Sequence, residues 1–376
     1  MTHNPLTHRY FLLTVDPVHI GTGGTRLGRV DMSIVREPGT HLPKIPGTSL
    51  SGAIRAYAAH RYGKPQCAGQ GQQEDRKHCG RPTCPICYTF GTASESGKSH
   101  AGVVAIGDAR ILLFPVYSMV GPVWVTSPGA LQDAGLGEEH VSPDKAKWGG
   151  KESGLPTDKP INLGWLMVER EGDFPAPNWP EQIPEQIRHR AVLVSDKLFS
   201  QIVNSNLEVR TSVSINPETG AAEDKALFTY EAIPRATVLW MDVVVDDYRK
   251  AFPSKSQLEA WKNDLEQRDD AAKNLVKQWH LGKEKDGEGK FDNSVQKALG
   301  WVQDDLDRYG NDIDWKGAAQ VVTSGLEWAE HLGVGGMGTR GFGRIRQVVR
   351  CEVTDTGALE KCEKKNAHGN TGSTEK

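Results

Sequence analysis

Apolar and polar positions first alternate clearly over residues 10–15, where Phe11, Leu13 and Val15 share one face and predict a strand. A glycine-rich polar stretch follows, carrying His19, Arg26, Arg29 and Asp31. Pro46 and Gly47 then turn the chain into a predicted helix. Thr48 or Ser49 offers a hydroxyl cap, Leu50, Ile54 and Ala58 recur on one face, and Gly63 is a stop. The apolar run Ile111–Phe114 suits a buried strand. Residues 129–190 are rich in proline and glycine with few periodic segments, and the pattern assigns them no role. From Leu207 the alternation sharpens. Leu207, Val209, Thr211, Val213 and Ile215 fall on one side, residues 216–220 form a turn, and the chain returns, so residues 207–234 predict a β-hairpin. Residues 246–331 read as amphipathic helices, with Trp261 and Leu265 four apart and charges outside. A glycine loop over 333–344 leads into an alternating strand, and a polar, disordered tail is expected over 354–376.

Charge changes this picture little. Charged residues are 25% of the 376 and the net charge is −3, so any nucleic-acid site must be a local patch. No run of 18 apolar residues exists, so no membrane span is expected, and the N-terminus lacks a signal pattern; the expected location is cytoplasmic. Six cysteines in a chain of this length do not suggest a disulfide scaffold.

Four of those cysteines do carry chemistry. Cys67, Cys79, Cys84 and Cys87 are spaced C-x11-C-x4-C-x2-C in a segment, 64–101, with few large apolar residues to fold around. Four thiolates can close a tetrahedral shell, so a structural zinc is expected, with His78 as the substitute ligand. The glycine loop contains a G-x-G-x-x-G match at Gly336, Gly338 and Gly341. A dinucleotide site needs a strand before and a helix after, and here the order is reversed. Glycines beside Arg340, Arg344 and Arg346 instead suit close approach to a polynucleotide. The strand, polar loop and capped helix of residues 10–63 suit an anion such as phosphate. Asp31 stands among arginines there. Metal binding or proton transfer is one reading, and a surface Asp in a mobile loop is the other.

The stretches IGTGG, VDMSIVRE and LPKIPGTSLSGAIR, between Ile20 and Arg55, resemble the N-terminal signature of the repeat-associated RNA-binding (RAMP) superfamily of CRISPR systems. Within it they resemble the backbone subunit of Cmr-type (type III-B) effector complexes. CPICYTFG, FPVYSMVGPVWVTSP and the C-terminal glycine loop extend the likeness over most of the chain. The resemblance implies an α+β fold, a modified ferredoxin-like core of four antiparallel strands with helices on one face. It implies one domain over 1–353, with a zinc insertion at 64–101, a thumb at 207–234, a helical region at 246–331 and the loop at 333–344.

It also implies a function. Such a subunit binds a guide CRISPR RNA (crRNA), stacks with further copies of itself in a helical filament beside other effector subunits, and cleaves paired target RNA at regular intervals. Asp31 matches the essential aspartate, as a magnesium or manganese ligand or as general base, and His19 and Glu231 match weaker positions. Guide contacts are expected from Lys44, Thr48, Ser49, Arg55, Arg210, Gly336, Gly338, Thr339, Arg340 and Arg344. One departure is Ser51, where relatives commonly carry Lys. Three alternatives stand beside this reading: a non-catalytic guide-binding scaffold, a guide-processing endonuclease, and a zinc-stabilised mononucleotide-binding protein.

Overall fold

The computed structural model describes residues 4–23, 30–69, 78–92, 99–150, 153–175, 177–213, 215–221, 227–281, 288–310 and 313–364. In chain order the elements are β1 (Leu6–Thr14), β2 (Lys44–Ile45), α1 (Gly47–Arg61), α2 (Pro85–Phe90), β3 (Val104–Ile106), β4 (Ala109–Val116), β5 (Val123–Thr126) and α3 (Pro128–Asp133). Then come β6 (Lys145–Trp148), β7 (Ile161–Leu163), β8 (Leu166–Gly172), α4 (Glu185–His189), β9 (Ala191–Val194), α5 (Asp196–Ser205), β10 (Glu208–Ser212) and β11 (Phe228–Ala232). The chain ends with β12 (Val238–Val245), α6 (Lys255–Gln267), α7 (Asp270–Gln278), α8 (Glu288–Leu306), α9 (Ala318–Leu332), β13 (Ile345–Val353) and β14 (Leu359–Lys364). Two compact units emerge, one of residues 1–6, 51–105 and 244–328, the other of residues 7–50, 106–243 and 329–376.

The principal sheet runs β14-β13-β1-β12-β4-β5-β9-β6-β8-β7. Its centre, β13-β1-β12-β4, is visited in the chain order β1–α1–β4–β12–α9–β13. That is a β-α-β-β-α-β sequence in a 4-1-3-2 strand order, the ferredoxin-like arrangement. β1 pairs antiparallel with β13, and β12 with β4. β1 lies inside the sheet, which explains a difference from the alternating pattern: Tyr10, Phe11 and Leu12 are all fully buried, on both faces.

Residues 129–190 are not structureless. β5 pairs parallel with β9, β9 antiparallel with β6, β6 parallel with β8, and β8 antiparallel with β7. These strands are three to seven residues long, too short for alternation to register in a pattern, yet Trp148, Ile161, Leu163 and Val168 are buried. Phe11, Leu113, Trp124, Leu131, Trp179, Ile187, Leu193, Val238 and Val349 form the core cluster of this unit. The expected tail also differs. Residues 354–357 turn the chain back, and β14 pairs with β13 and carries a disulfide from Cys362 to Cys351, its register partner. Leu359 packs against the core, which holds the strand in place. Residues 365–376 lie outside the described residues.

The other unit is helical, as the pattern predicts. Leu258, Trp261 and Leu265 of α6 are buried with Leu275 and Val276 of α7, Val295 and Val302 of α8, and Val321 of α9. Trp261 meets Trp279 edge-on at 5.2 Å. Each such large apolar side chain, when buried, contributes about 1.5–3 kcal/mol.

Candidate active site and cysteine cluster

The hairpin forms where the alternation places it, with Thr211 opposite Thr229 and Val209 opposite Glu231. Val209, Val213, Ile215 and Leu227 are exposed, so its apolar side faces outward. The Asp31 segment lies along β11. Met32 N–H donates to the Thr229 carbonyl (3.0 Å) and Glu231 N–H to the Met32 carbonyl (3.1 Å). The Asp31 carboxylate then turns onto the strand. Its Oδ2 accepts from the Thr229 backbone N–H at 2.7 Å and from the Thr229 hydroxyl at 2.9 Å. The Thr229 N–H, then its hydroxyl, hold the Asp31 carboxyl below its ordinary range. Asp31 is exposed, and both bonds that its carboxylate accepts from Thr229 run to Oδ2.

His19 reaches the same strand from the other side of the loop. Val18 and Ile233 exchange backbone hydrogen bonds (2.8 and 2.9 Å), and the His19 Nδ1 lies 2.6 Å from the Glu231 carbonyl oxygen. A carbonyl only accepts, so Nδ1 is the donor in this bond. Glu231 is ion-paired. Its Oε2 accepts from Arg36 Nη2 (2.9 Å) and from Ile34 N–H (3.4 Å), and Arg36 Nε donates to Asn204 Oδ1 (2.9 Å). Thr229 and Glu231 are two residues apart on one strand, about 7 Å. β11 is thus the beam on which Asp31, His19 and Arg36 are hung.

The glycine loop packs against this beam. Gly336 N–H donates to the His19 carbonyl (3.0 Å). At Gly335 (φ +89°) an added Cβ would sit 2.5 Å from the His19 oxygen, and at Gly343 it would sit 2.5 Å from the Val334 oxygen. At Gly336 and Gly338 the nearest atoms would be 3.6 and 3.8 Å away, and at Gly341 none lies within 4 Å. The helix α9 precedes the loop and β13 follows, the order that excludes a dinucleotide fold. The Arg340 guanidinium lies over the Phe228 ring (5.6 Å) and that of Arg210 over Phe342 (4.6 Å), while Phe342 meets Tyr230 edge-on at 5.3 Å. Thr339 is exposed between Gly338 and Arg340. Arg344 pairs with Asp16. Arg26 and Arg29 lie outside the described residues.

At the start of α1, Thr48 is exposed and Ser49 half-buried. Neither caps the helix. Asp108 does so from the β3–β4 turn, its Oδ1 accepting from Gly47 N–H (2.7 Å) while Lys44 Nζ donates to its Oδ2 (2.5 Å). Burial alone would raise the Asp108 carboxyl, but these two donors outweigh it and hold it low. Gly47 is required there, since a Cβ would meet the Ile106 carbonyl oxygen at 2.3 Å.

Arg55 points elsewhere. Its Nε donates to the Cys67 carbonyl at 2.7 Å and its Nη1 to that of Phe90 at 3.4 Å. It borders the cysteine cluster. The four sulfurs of Cys67, Cys79, Cys84 and Cys87 lie within 4.8 Å of one another, with Cys87 3.7 Å from both Cys67 and Cys79. Hydrogen bonds from the other three sulfurs draw the Cys79 thiol far down, and burial pushes Cys84 up. Such crowding suits a cation that would let all four ionise, and the cluster can hold a metal ion. His78 is not part of it; its Nε2 meets the Gly69 carbonyl. Lys64, fully buried, feels the field of Cys84, and its ammonium is held by Asp305, which also accepts from the hydroxyls of Thr83 (2.7 Å) and Tyr62 (3.1 Å).

Thr229, Arg36, Asn204 and Asp108 were not singled out by sequence. One signal was available for Thr229: alternation along β11 puts it on the face of Glu231.

Among the described residues no helix is long and apolar enough to cross a membrane. Comparison with known proteins is consistent with the geometry. The "CRISPR system Cmr endoribonuclease Cmr4" of Pyrococcus furiosus is 28% identical over 253 residues, which is 62% of this chain and 80% of that one. The "CRISPR system Cms endoribonuclease Csm3" of Mycobacterium tuberculosis is 40% identical over 58 residues, 15% of this chain and 25% of its own length. In structure, a chain of the apo type III-B Cmr-beta complex matches with a TM-score of 0.53 and 13% identity, covering 93% of this chain and 98% of that one. A chain of the same type of complex bound to cognate target RNA matches at 0.50 and 15% identity, over 66% and 87%. The RAMP superfamily model matches residues 11–346, almost the whole of the described fold, and the chain belongs to the RAMP superfamily.

Proposed function

We propose that this chain is a guide-RNA-binding backbone subunit of a type III CRISPR ribonucleoprotein and that it cleaves target RNA paired to the guide, through Asp31. The observation that carries the reading is the Asp31 carboxylate, pinned to the hairpin strand through Oδ2 on a residue exposed to solvent. The relative named an endoribonuclease aligns over 80% of its own length, which supports it.

RNA carries its own nucleophile. The 2′-hydroxyl attacks the adjacent phosphorus when the backbone is bent into line, the 5′-oxygen leaves, and a cyclic phosphate results. Asp31 Oδ1 is the atom that meets this chemistry, as proton acceptor or as metal ligand. In its neutral form His19, on the segment bonded to that strand, offers Nε2 as a second acceptor. Glu231, held by Arg36, positions the loop. A magnesium or manganese ion fits as a site with one protein carboxylate completed by RNA phosphates; when bound it would neutralise charge on the phosphate. Arg210, Arg340 and the open glycines Gly336 and Gly338 are assigned to RNA, with Thr339 and Arg344 beside them and Lys44, Thr48 and Ser49 at the helix start. Arg55 is assigned to the cysteine cluster instead.

Zinc is the metal assigned to that cluster. Tetrahedral zinc with bonds of about 2.3 Å places its sulfurs about 3.8 Å apart. The Cys87 contacts of 3.7 Å suit it. Such a site leaves no position for water, so its role is structural.

The test is cleavage of end-labelled complementary RNA by the assembled ribonucleoprotein with magnesium. Regularly spaced products should appear with the wild type and fall by about 10²–10⁴-fold in Asp31→Ala, with target binding retained. Equal cleavage by the variant would remove Asp31 from the chemistry. Binding without cleavage by either protein would make the chain a scaffold.

A further inference from the structure

Asp31 is set by a residue outside its own loop. Thr229 on β11 contacts it three times: the backbone N–H and the hydroxyl both donate to Oδ2 (2.7 and 2.9 Å), and the hydroxyl oxygen accepts from Asp31 N–H at 3.2 Å. All three bonds are geometrically consistent, because one hydroxyl can donate once and accept once. The hydroxyl is not needed to hold the loop on the hairpin. Met32 N–H to the Thr229 carbonyl and Glu231 N–H to the Met32 carbonyl already make that pairing, and Arg36 reinforces it through Glu231. An exposed aspartate otherwise samples several rotamers. What the hydroxyl adds is orientation.

Resting on the reading of Asp31 as the cleavage residue, we propose that Thr229 is a positioning residue for the reaction: it fixes the Asp31 carboxylate through Oδ2 so that Oδ1 alone is presented to the RNA, and it ties that orientation to the hairpin. The carboxylate is oriented by one strand of the hairpin whose other strand and outer end carry the exposed Val209, Val213, Ile215 and Leu227, so seating the hairpin on RNA and aiming the carboxylate are one event. A carboxylate merely tethered to a mobile loop would lose rate to misorientation without losing RNA affinity.

The experiment compares Thr229→Val, Thr229→Ser and Asp31→Asn in the assembled ribonucleoprotein, measuring single-turnover cleavage and target-RNA affinity separately. Valine keeps shape and the backbone donor but removes the hydroxyl. Cleavage by Thr229→Val should fall about tenfold or more, as expected for loss of a hydrogen bond to a charged group, with target affinity unchanged. Serine should restore cleavage to within about threefold of wild type. Wild-type cleavage by Thr229→Val, beside an inactive Asp31→Asn, would overturn the positioning role and leave Asp31 in place. A serine variant as slow as valine, or a parallel loss of affinity, would reduce Thr229 to a structural residue and overturn it equally. Full cleavage by Asp31→Asn would overturn the underlying reading, and the positioning role with it.

Discussion

The cysteine cluster and the Asp31 site differ in how many of their donor atoms are already in use. Around Cys67, Cys79, Cys84 and Cys87 four sulfurs face one another, three of the four residues are buried, and Arg55 and Lys64 place positive charge alongside. At Asp31 the carboxylate is held through Oδ2 alone by the hairpin strand, on an exposed residue beside an exposed hairpin. A closed donor set can stabilise only the fold. A half-open one can act on something that arrives. The same contrast appears in charge: the Lys64–Asp305 pair is sealed within the protein, whereas the exposed Arg340 rests on the Phe228 ring and Arg210, over Phe342, pairs with Glu208 at the surface.

The largest effect should come from opening the closed site. Cys84→Ser, or metal chelation, should lower the melting temperature by about 10 °C or more, because a metal ion held there would contribute folding energy. Asp31→Ala should leave it unchanged. A protein that melts identically with and without chelator would break the distinction between the two sites. Next comes the sealed pair. Lys64→Met leaves Asp305 buried without its counter-charge and should cost about 3–5 kcal/mol, and Lys64→Met with Asp305→Leu should recover most of it. Denaturant unfolding of the three proteins measures both. A double variant no better than the single would show that Thr83 and Tyr62, left without their acceptor, matter more than the charge pair.

The two sites were unequally legible in the sequence. The cysteines could be read because spacing and residue type are nearly the whole of a thiolate site. A catalytic role for His19 was suggested only by resemblance, while Asp31 stood out as a carboxylate among arginines, with a surface Asp as the even alternative. For Thr229, 198 positions from Asp31, alternation gives only the shared face with Glu231; its hydrogen bond to a distant segment leaves no trace in periodicity. The core strands and the helices of residues 246–331 were legible through long repeats of burial. β6, β7 and β9 were missed because three or four residues give alternation no length to show, and β8, seven residues long, buries only Val168. β14 was missed because Leu359 and Cys362 are its only apolar anchors in a polar stretch. Asp108, which caps α1 in place of Thr48 or Ser49, is a tertiary cap that no helix-start rule can see.

The smallest effects divide the glycine loop itself. Gly335 has φ +89°, and a Cβ there would meet the His19 oxygen at 2.5 Å and Ile20 Cδ1 at 2.3 Å. The isoleucine tip can move, but the backbone oxygen cannot without dragging His19 off β11. Gly335→Ala should therefore cost about 1–3 kcal/mol and slow cleavage as His19 shifts. Gly338 has room, with the nearest atom at 3.8 Å. Gly338→Ala should change stability by no more than about 0.5 kcal/mol. If the open half of the loop serves close approach of an RNA backbone, this methyl should still weaken guide binding, and the loss should appear in guide affinity measured at fixed salt. Unchanged affinity in Gly338→Ala would mean that the whole loop, not just its inner half, is glycine-rich for the sake of its own packing against His19, and that Arg340 alone brings it to RNA.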